Sequence, residues 1–142
     1  MTDPMPPTAE AIRIEPPVSE LTAPFWDATR RQRLVLQWCT DCDEAIFYPR
    51  DVCPACLGTD LQWRASEGRG TVYAVSVQHR AANPAMADRV PYAVVLVDLD
   101  DGIRLMSNVV DVDPATVEPG QAVTLCWEPL RDGRHLPQFR LA

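Results

Sequence analysis

Four of the five cysteines form two Cys-x-x-Cys knuckles, Cys39-Thr-Asp-Cys42 and Cys53-Pro-Ala-Cys56, with ten residues between them. Knuckles this close bring four thiolates to the corners of a tetrahedron, the closed shell that a structural Zn²⁺ takes. Two disulfides or free thiols leave the repetition unexplained, and redox Cys-x-x-Cys motifs come singly within a strand–helix–strand unit. We therefore expect Cys39, Cys42, Cys53 and Cys56 to hold one metal ion, Zn²⁺, with Fe as its rival. Four sulfur ligands leave no open coordination position, so such an ion supports folding rather than catalysis. Knuckles of this kind commonly place glycine after the second cysteine. Here Asp43 and Leu57 stand there, with Gly58 one position late. Aspartate tolerates the left-handed conformation, and Leu57 is the weaker fit.

The rest of the chain divides around this segment. Residues 1–20 hold five prolines and little to bury, so they read as a disordered or extended arm. Residues 21–66 are expected to form a short helix and a rubredoxin-like zinc ribbon. Thr22 suits an N-cap, Pro24 the first turn and Asp27 the helix dipole, which predicts a helix over about 23–32 with Phe25 and Trp26 on an aromatic face. Leu34–Trp38, Ala45–Tyr48 and Leu61–Trp63 read as the ribbon strands. Residues 67–142 carry five short β-runs, at 70–79, 91–99, 103–110, 122–127 and 136–141. Asp101-Gly102 between two of them is a strong hairpin signal. Five strands without a long helix predict a mainly β chain ending in an OB-fold barrel, with 80–89 as a rim loop and Gly68-Arg-Gly70 as the bend into the first barrel strand.

Composition narrows the function. No apolar run reaches the length of a membrane span, the N-terminus lacks a secretory pattern, and only Cys126 is left beyond the metal cysteines, so a reducing cytoplasm is expected. The net charge of −7 argues against binding nucleic acid through its phosphates. All 13 Lys or Arg residues are Arg, whose forks suit phosphate, although the codon bias of a GC-rich genome is the simpler explanation. A catalytic set is missing. His79 and His135 stand far apart outside any metal-binding pattern, Cys126 lies in an apolar run, and Asp98, Asp100 and Asp101 surround a turn.

An ordered series of short motifs carries a resemblance. Pro24-Phe-Trp, Arg33-Leu-Val-Leu-Gln, the two knuckles, Tyr48-Pro-Arg50, Gly68-x-Gly70-Thr-Val-Tyr73, Pro91-Tyr92 and Leu105-x-Ser-Asn108 follow one another. From about residue 20 to the C-terminus the chain resembles the acyl-CoA-associated zinc-ribbon/OB-fold proteins, formerly a domain of unknown function. The resemblance implies a non-catalytic accessory subunit that joins a thiolase-like enzyme, a thiolase or a side-chain-cleaving aldolase of lipid or steroid acyl-CoA metabolism, in a heterotetramer that shares the acyl-CoA. It also implies docking through the helix and ribbon, which makes Phe25, Trp26, Arg30 and Arg33 the expected partner contacts. CoA phosphates in an acidic protein need local arginines, and Arg50, Arg80 and Arg89 are the expected ones, with Arg31 beside the helix as a further candidate. With 142 residues, the sequence leads us to expect no fused hot-dog domain. Partnership with a separate hot-dog-fold enoyl-CoA hydratase, or binding of single-stranded nucleic acid, are the alternatives.

Overall fold

A computed structural model describes residues 14–142; residues 1–13 of the expected arm lie outside them. From Ile14 to Ser19 the chain has no regular structure. It is tied to the far end of the sequence: the Arg134 guanidinium donates to the Pro16 carbonyl (2.9 Å), and the Arg131 amide donates to the Glu15 carboxylate (2.9 Å).

Helix α1 covers Ala23–Thr29, shorter than expected. Thr22 precedes it but gives no side-chain cap; its hydroxyl accepts instead from the Ser19 amide (3.0 Å). The chain leaves the helix through Gln32, which takes a positive φ of 54°. Asp27 is the fifth residue of the helix, already outside the first turn, where the dipole offers it nothing. Three antiparallel strands then make the ribbon, β1 (Val35–Cys39), β2 (Ala45–Ile46) and β3 (Leu61–Ala65), in the order β2-β1-β3. The strand expected to run to Tyr48 stops at Ile46. Buried Gln37 takes over the pairing there, donating to the Arg50 carbonyl (3.0 Å) and accepting from the Arg50 amide (2.7 Å).

The barrel follows, with β4 (Arg69–Gln78), β5 (Tyr92–Leu99), β6 (Arg104–Val109), β7 (Ala122–Pro129) and β8 (His135–Leu141). It closes in the order β4-β5-β6-β8-β7. The pairs are antiparallel except β6 with β8, which meet in parallel at Val109 and Phe139. This is the five-stranded Greek-key closure of an OB-fold. Inward residues alternate along β5 and β6, and Val72, Val95, Val97, Val123 and Phe139 fill the interior. Gly70 admits the crossing of strands: a methyl there would stand 2.6 Å from the Asp98 carbonyl oxygen.

Ribbon and barrel share one core. Phe25, Trp26, Leu34 and Leu36 belong to the same apolar cluster as the barrel valines. Polar clasps reinforce the join. The His135 amide donates to the Thr29 hydroxyl (3.2 Å) and its ring Nδ1 to the Thr29 carbonyl (2.8 Å), while Ser66 donates to Asp101 (2.7 Å). His135 is therefore a structural residue that fastens β8 to the end of α1.

Candidate functional site

The metal site is built by two turns with the same hydrogen bond. In the first, the Asp43 amide returns to the Cys39 carbonyl (2.8 Å); in the second, the Leu57 amide returns to the Cys53 carbonyl (2.9 Å). Both returning residues adopt the left-handed conformation, with φ of 55° and 65°. The chain thus imposes on Leu57 the geometry that glycine normally relieves. Gly58 has its own reason to be glycine: a side chain would press within 2.6 Å of the Asp41 carboxylate and 3.2 Å of the Cys56 sulfur, to which the Gly58 amide donates (3.4 Å).

The four sulfurs lie within 4.8 Å of one another. Cys39 and Cys56 are 3.5 Å apart, and Cys42 and Cys53 3.6 Å. A tetrahedron with metal–sulfur distances of about 2.3 Å sets its sulfurs about 3.8 Å apart, so the donor set fits Zn²⁺. The thiols alone cannot ionise evenly. Burial, helped by the neighbouring sulfurs, pushes Cys42 up to about 12, whereas amides of Cys56 and Ala55 bring Cys53 down to about 7. A divalent cation removes that conflict by binding all four as thiolates. Bound there, it would supply rigidity and, having no open position, no chemistry on a substrate.

A second feature lies where helix, ribbon and barrel meet. An apolar groove of about 540 Å³ runs between Phe25, Trp26 and Tyr48 on one wall and Val94, Leu105 and Met106 of β5 and β6 on the other. Met86, on the 3-10 turn Pro84–Met86 of the rim loop, and Tyr92 border it. No side chain lining it carries a charge at neutral pH. Trp26 fixes one edge: its indole N–H donates to the Tyr48 hydroxyl (2.8 Å), its ring meets Phe25 edge-on at 5.0 Å, and the Arg134 guanidinium lies 5.0 Å from the ring centre.

These contacts correct one sequence expectation. Phe25 and Trp26 are not an exposed aromatic face; they are only 2% and 4% exposed. The sequence left open whether these rings pack inward or dock a partner; they pack inward, against Phe47, Tyr48 and the barrel. The other singled-out residues are scattered. Arg30 and Arg33 are exposed, and Arg30 donates to the Asp132 carbonyl (2.6 Å). Arg50 is exposed two residues after the groove residue Tyr48 and does not line the groove, while Arg80 and Arg89 are exposed on the rim loop. Arg89 is engaged by Glu128 at 2.5 Å. Among the described residues no ion pair or hydrogen bond joins these arginines to one another. The groove itself escaped sequence reading, because its two walls lie far apart in the chain, Phe25 to Tyr48 on one side and Val94 to Met106 on the other; the Tyr48-Pro-Arg and Pro91-Tyr92 motifs were its trace.

Cys126 is buried in β7, which pushes its thiol pKa up, and His79 is exposed at the edge of β4. No catalytic constellation forms among the described residues. No helix among them is long and apolar enough to cross a membrane.

Fold and metal site together define a zinc-ribbon/OB-fold module. Two family models match in tandem: the ChsH2 rubredoxin-like zinc ribbon domain over residues 26–62 and the ChsH2 C-terminal OB-fold domain over residues 63–128. A solved structure described as an Ltp2-ChsH2(DUF35) aldolase contains a chain that is 34% identical, superposes with a TM-score of 0.80, and is covered over 98% of its length by 89% of this one. A DUF35 domain-containing scaffold protein of Methanothermobacter thermautotrophicus is 30% identical over 72% of this chain and 77% of its own. The chain belongs to the ChsH2/DUF35 family. It is also 35% identical, over 94% of its length, to a probable enoyl-CoA hydratase alpha subunit of Thermomonospora curvata, but spans only 41% of that protein.

Proposed function

We propose that this protein is a non-catalytic accessory subunit that joins a thiolase-fold enzyme, as two copies with two, and helps form its acyl-CoA site. The observation that carries the reading is the likeness, over nearly its whole length, to the ChsH2 chain of an aldolase. The lack of a catalytic set among the described residues fits it, as does the scaffold description of the archaeal relative. In this reading Zn²⁺ holds the ribbon rigid so that ribbon and α1 present a fixed surface. Arg30 and Arg33 flank that surface as polar contacts, and Phe25 and Trp26 act from beneath, as its packed support. Arg50, Arg80 and Arg89 are the phosphate-facing candidates. Arg89 serves only if CoA competes successfully with Glu128.

A hot-dog-fold hydratase partner is the second reading, favoured by the likeness to the hydratase alpha subunit. Nucleic acid is the least favoured, since the −7 charge opposes it. Co-expression with candidate partner enzymes separates these readings. Copurification with a thiolase-fold enzyme, together with retro-aldol or thiolytic turnover that neither protein shows alone, supports the first. Copurification only with a hydratase selects the second, and a salt-sensitive complex with single-stranded DNA selects the third.

A further inference from the structure

The connection between β4 and β5 is longer than its strands require. Gln78 and Tyr92 pair at its base, and roughly 2–5 residues suffice to turn a hairpin. Residues 79–91 intervene instead, and none of them is buried. Their backbone bonds stay within the loop: the Met86 amide donates to the Asn83 carbonyl (3.0 Å), Ala87 to Pro84 (3.2 Å) and Arg89 to Met86 (3.0 Å). Among the described residues one polar contact carries the loop to the barrel wall, the Arg89 guanidinium donating to the Glu128 carboxylate of β7 (2.5 Å). The two halves of that contact differ. Glu128 is held in place, because buried Gln138 of β8 donates to its second oxygen (2.8 Å). Arg89 travels with the loop, its side chain 41% exposed against 18% for Glu128. Ion pairs as open as this are weak and screened by salt, so one such pair holds the loop without locking it.

The loop also stands between two spaces. Met86 lines both the apolar groove and a smaller cavity of about 210 Å³ bounded by Asn108, Val109 and Gln138. We propose that residues 79–91 are a lid, hinged at Gln78 and Tyr92 and latched by Arg89 to Glu128, whose opening joins the groove to the cavity beyond Met86. With the lid down, the groove ends at the Met86 side chain. With the lid raised, the space lengthens beneath the loop and the apolar groove gains a polar end, the amides of Asn108 and Gln138. Those amides belong to the same chain of hydrogen bonds as the latch, since Gln138 donates to Asn108 (3.4 Å) as well as to Glu128, and Asn108 donates to the Ala93 carbonyl (2.9 Å). The fixed half of the latch is thus built into the barrel, and the loop supplies the moving half. The inference goes beyond the accessory-subunit reading and holds whichever partner the chain joins.

The test is hydrogen exchange, read by mass spectrometry on the full zinc-loaded chain, with uptake of Nile red, an uncharged apolar dye, timed on the same samples. Arg89→Ala is expected to speed exchange of the Met86 and Ala87 amides about two- to fivefold, the weight of one half-exposed ion pair. Arg89→Lys keeps the charge and should stay near the parent. Amides of β5 and β6 and the melting midpoint should not move. Raising NaCl from about 0.05 to about 0.5 M should speed loop exchange in the parent and leave Arg89→Ala unchanged. Dye uptake should quicken with loop exchange, in the same order of variants. Parent-like loop exchange in Arg89→Ala, a salt response that survives the loss of Arg89, or faster exchange that spreads into β5 and β6 each overturns the latch. A loop that exchanges faster while the dye enters at the parent's rate, or not at all, overturns the lid.

Discussion

Trp26→Ala separates two roles that the sequence could not distinguish. An exposed docking residue could be truncated at little cost to folding, but Trp26 is 4% exposed within the core shared by ribbon and barrel. Removing a buried tryptophan typically costs about 3–5 kcal/mol, combining lost transfer energy with the cavity left behind. The local contacts place it in the upper half of that range. Truncation also removes the donor to the Tyr48 hydroxyl, takes the edge from Phe25 and leaves Arg134 without its ring. Against a total stability of about 5–15 kcal/mol, such a loss removes a large share of the folded state's margin. Trp26→Phe keeps a ring and loses the hydrogen bond, so about 1–2 kcal/mol is expected. Urea unfolding followed by circular dichroism, with zinc present, reads both. A Trp26→Ala chain within about 0.5 kcal/mol of the parent, the usual spread for surface changes, would refute the packing account. Any loss of partner binding by that variant is then to be attributed to the helix losing its seat.

Other perturbations follow from the same contacts. Cys53→Ser should reduce bound metal from one equivalent to well below half by elemental analysis and melt the ribbon, since binding and folding free energy are shared in such sites. Gly70→Ala should destabilise by about 1–3 kcal/mol in denaturant melts, because the added methyl meets the Asp98 backbone and the buried Val97 side chain, neither free to yield. Asp98 titrates below the usual carboxylate range because Arg104 hydrogen-bonds it, and Asp132 because the Arg134 amide donates to it. A depressed folded pKa gives stability that is present above the unfolded value of about 3.9 and lost as pH falls through the folded one. Melts between about pH 5 and 2 should therefore show an acid limb that Asp98→Asn flattens.

The parts of the fold visible in the sequence were those set by local rules. The knuckles named their ligands because metal coordination needs four sulfurs at short spacing, and Asp101-Gly102 marked the β5–β6 hairpin through its turn chemistry. Alternation along β5 showed its inward face because a barrel strand buries every second residue. What depended on residues distant in sequence stayed hidden. The burial of Phe25 and Trp26 comes from Phe47, Tyr48 and the barrel, and nothing in a seven-residue helix announces that seat. The β2 strand ended early because Gln37, a side chain, replaced its ladder. Arg134, which holds Pro16 and covers Trp26, looked like one surface arginine among many; only its burial sets it apart.

The central claim, that this chain works by completing another enzyme, is tested most directly by analytical ultracentrifugation of the zinc-loaded chain with a thiolase-fold enzyme encoded beside its gene, with acyl-CoA turnover measured on each fraction. The account predicts that both proteins move into one heteromeric species, and that turnover appears in that species and is absent from the isolated chain. Sedimentation as two independent species, or turnover by the isolated chain after contaminants are removed, would contradict it.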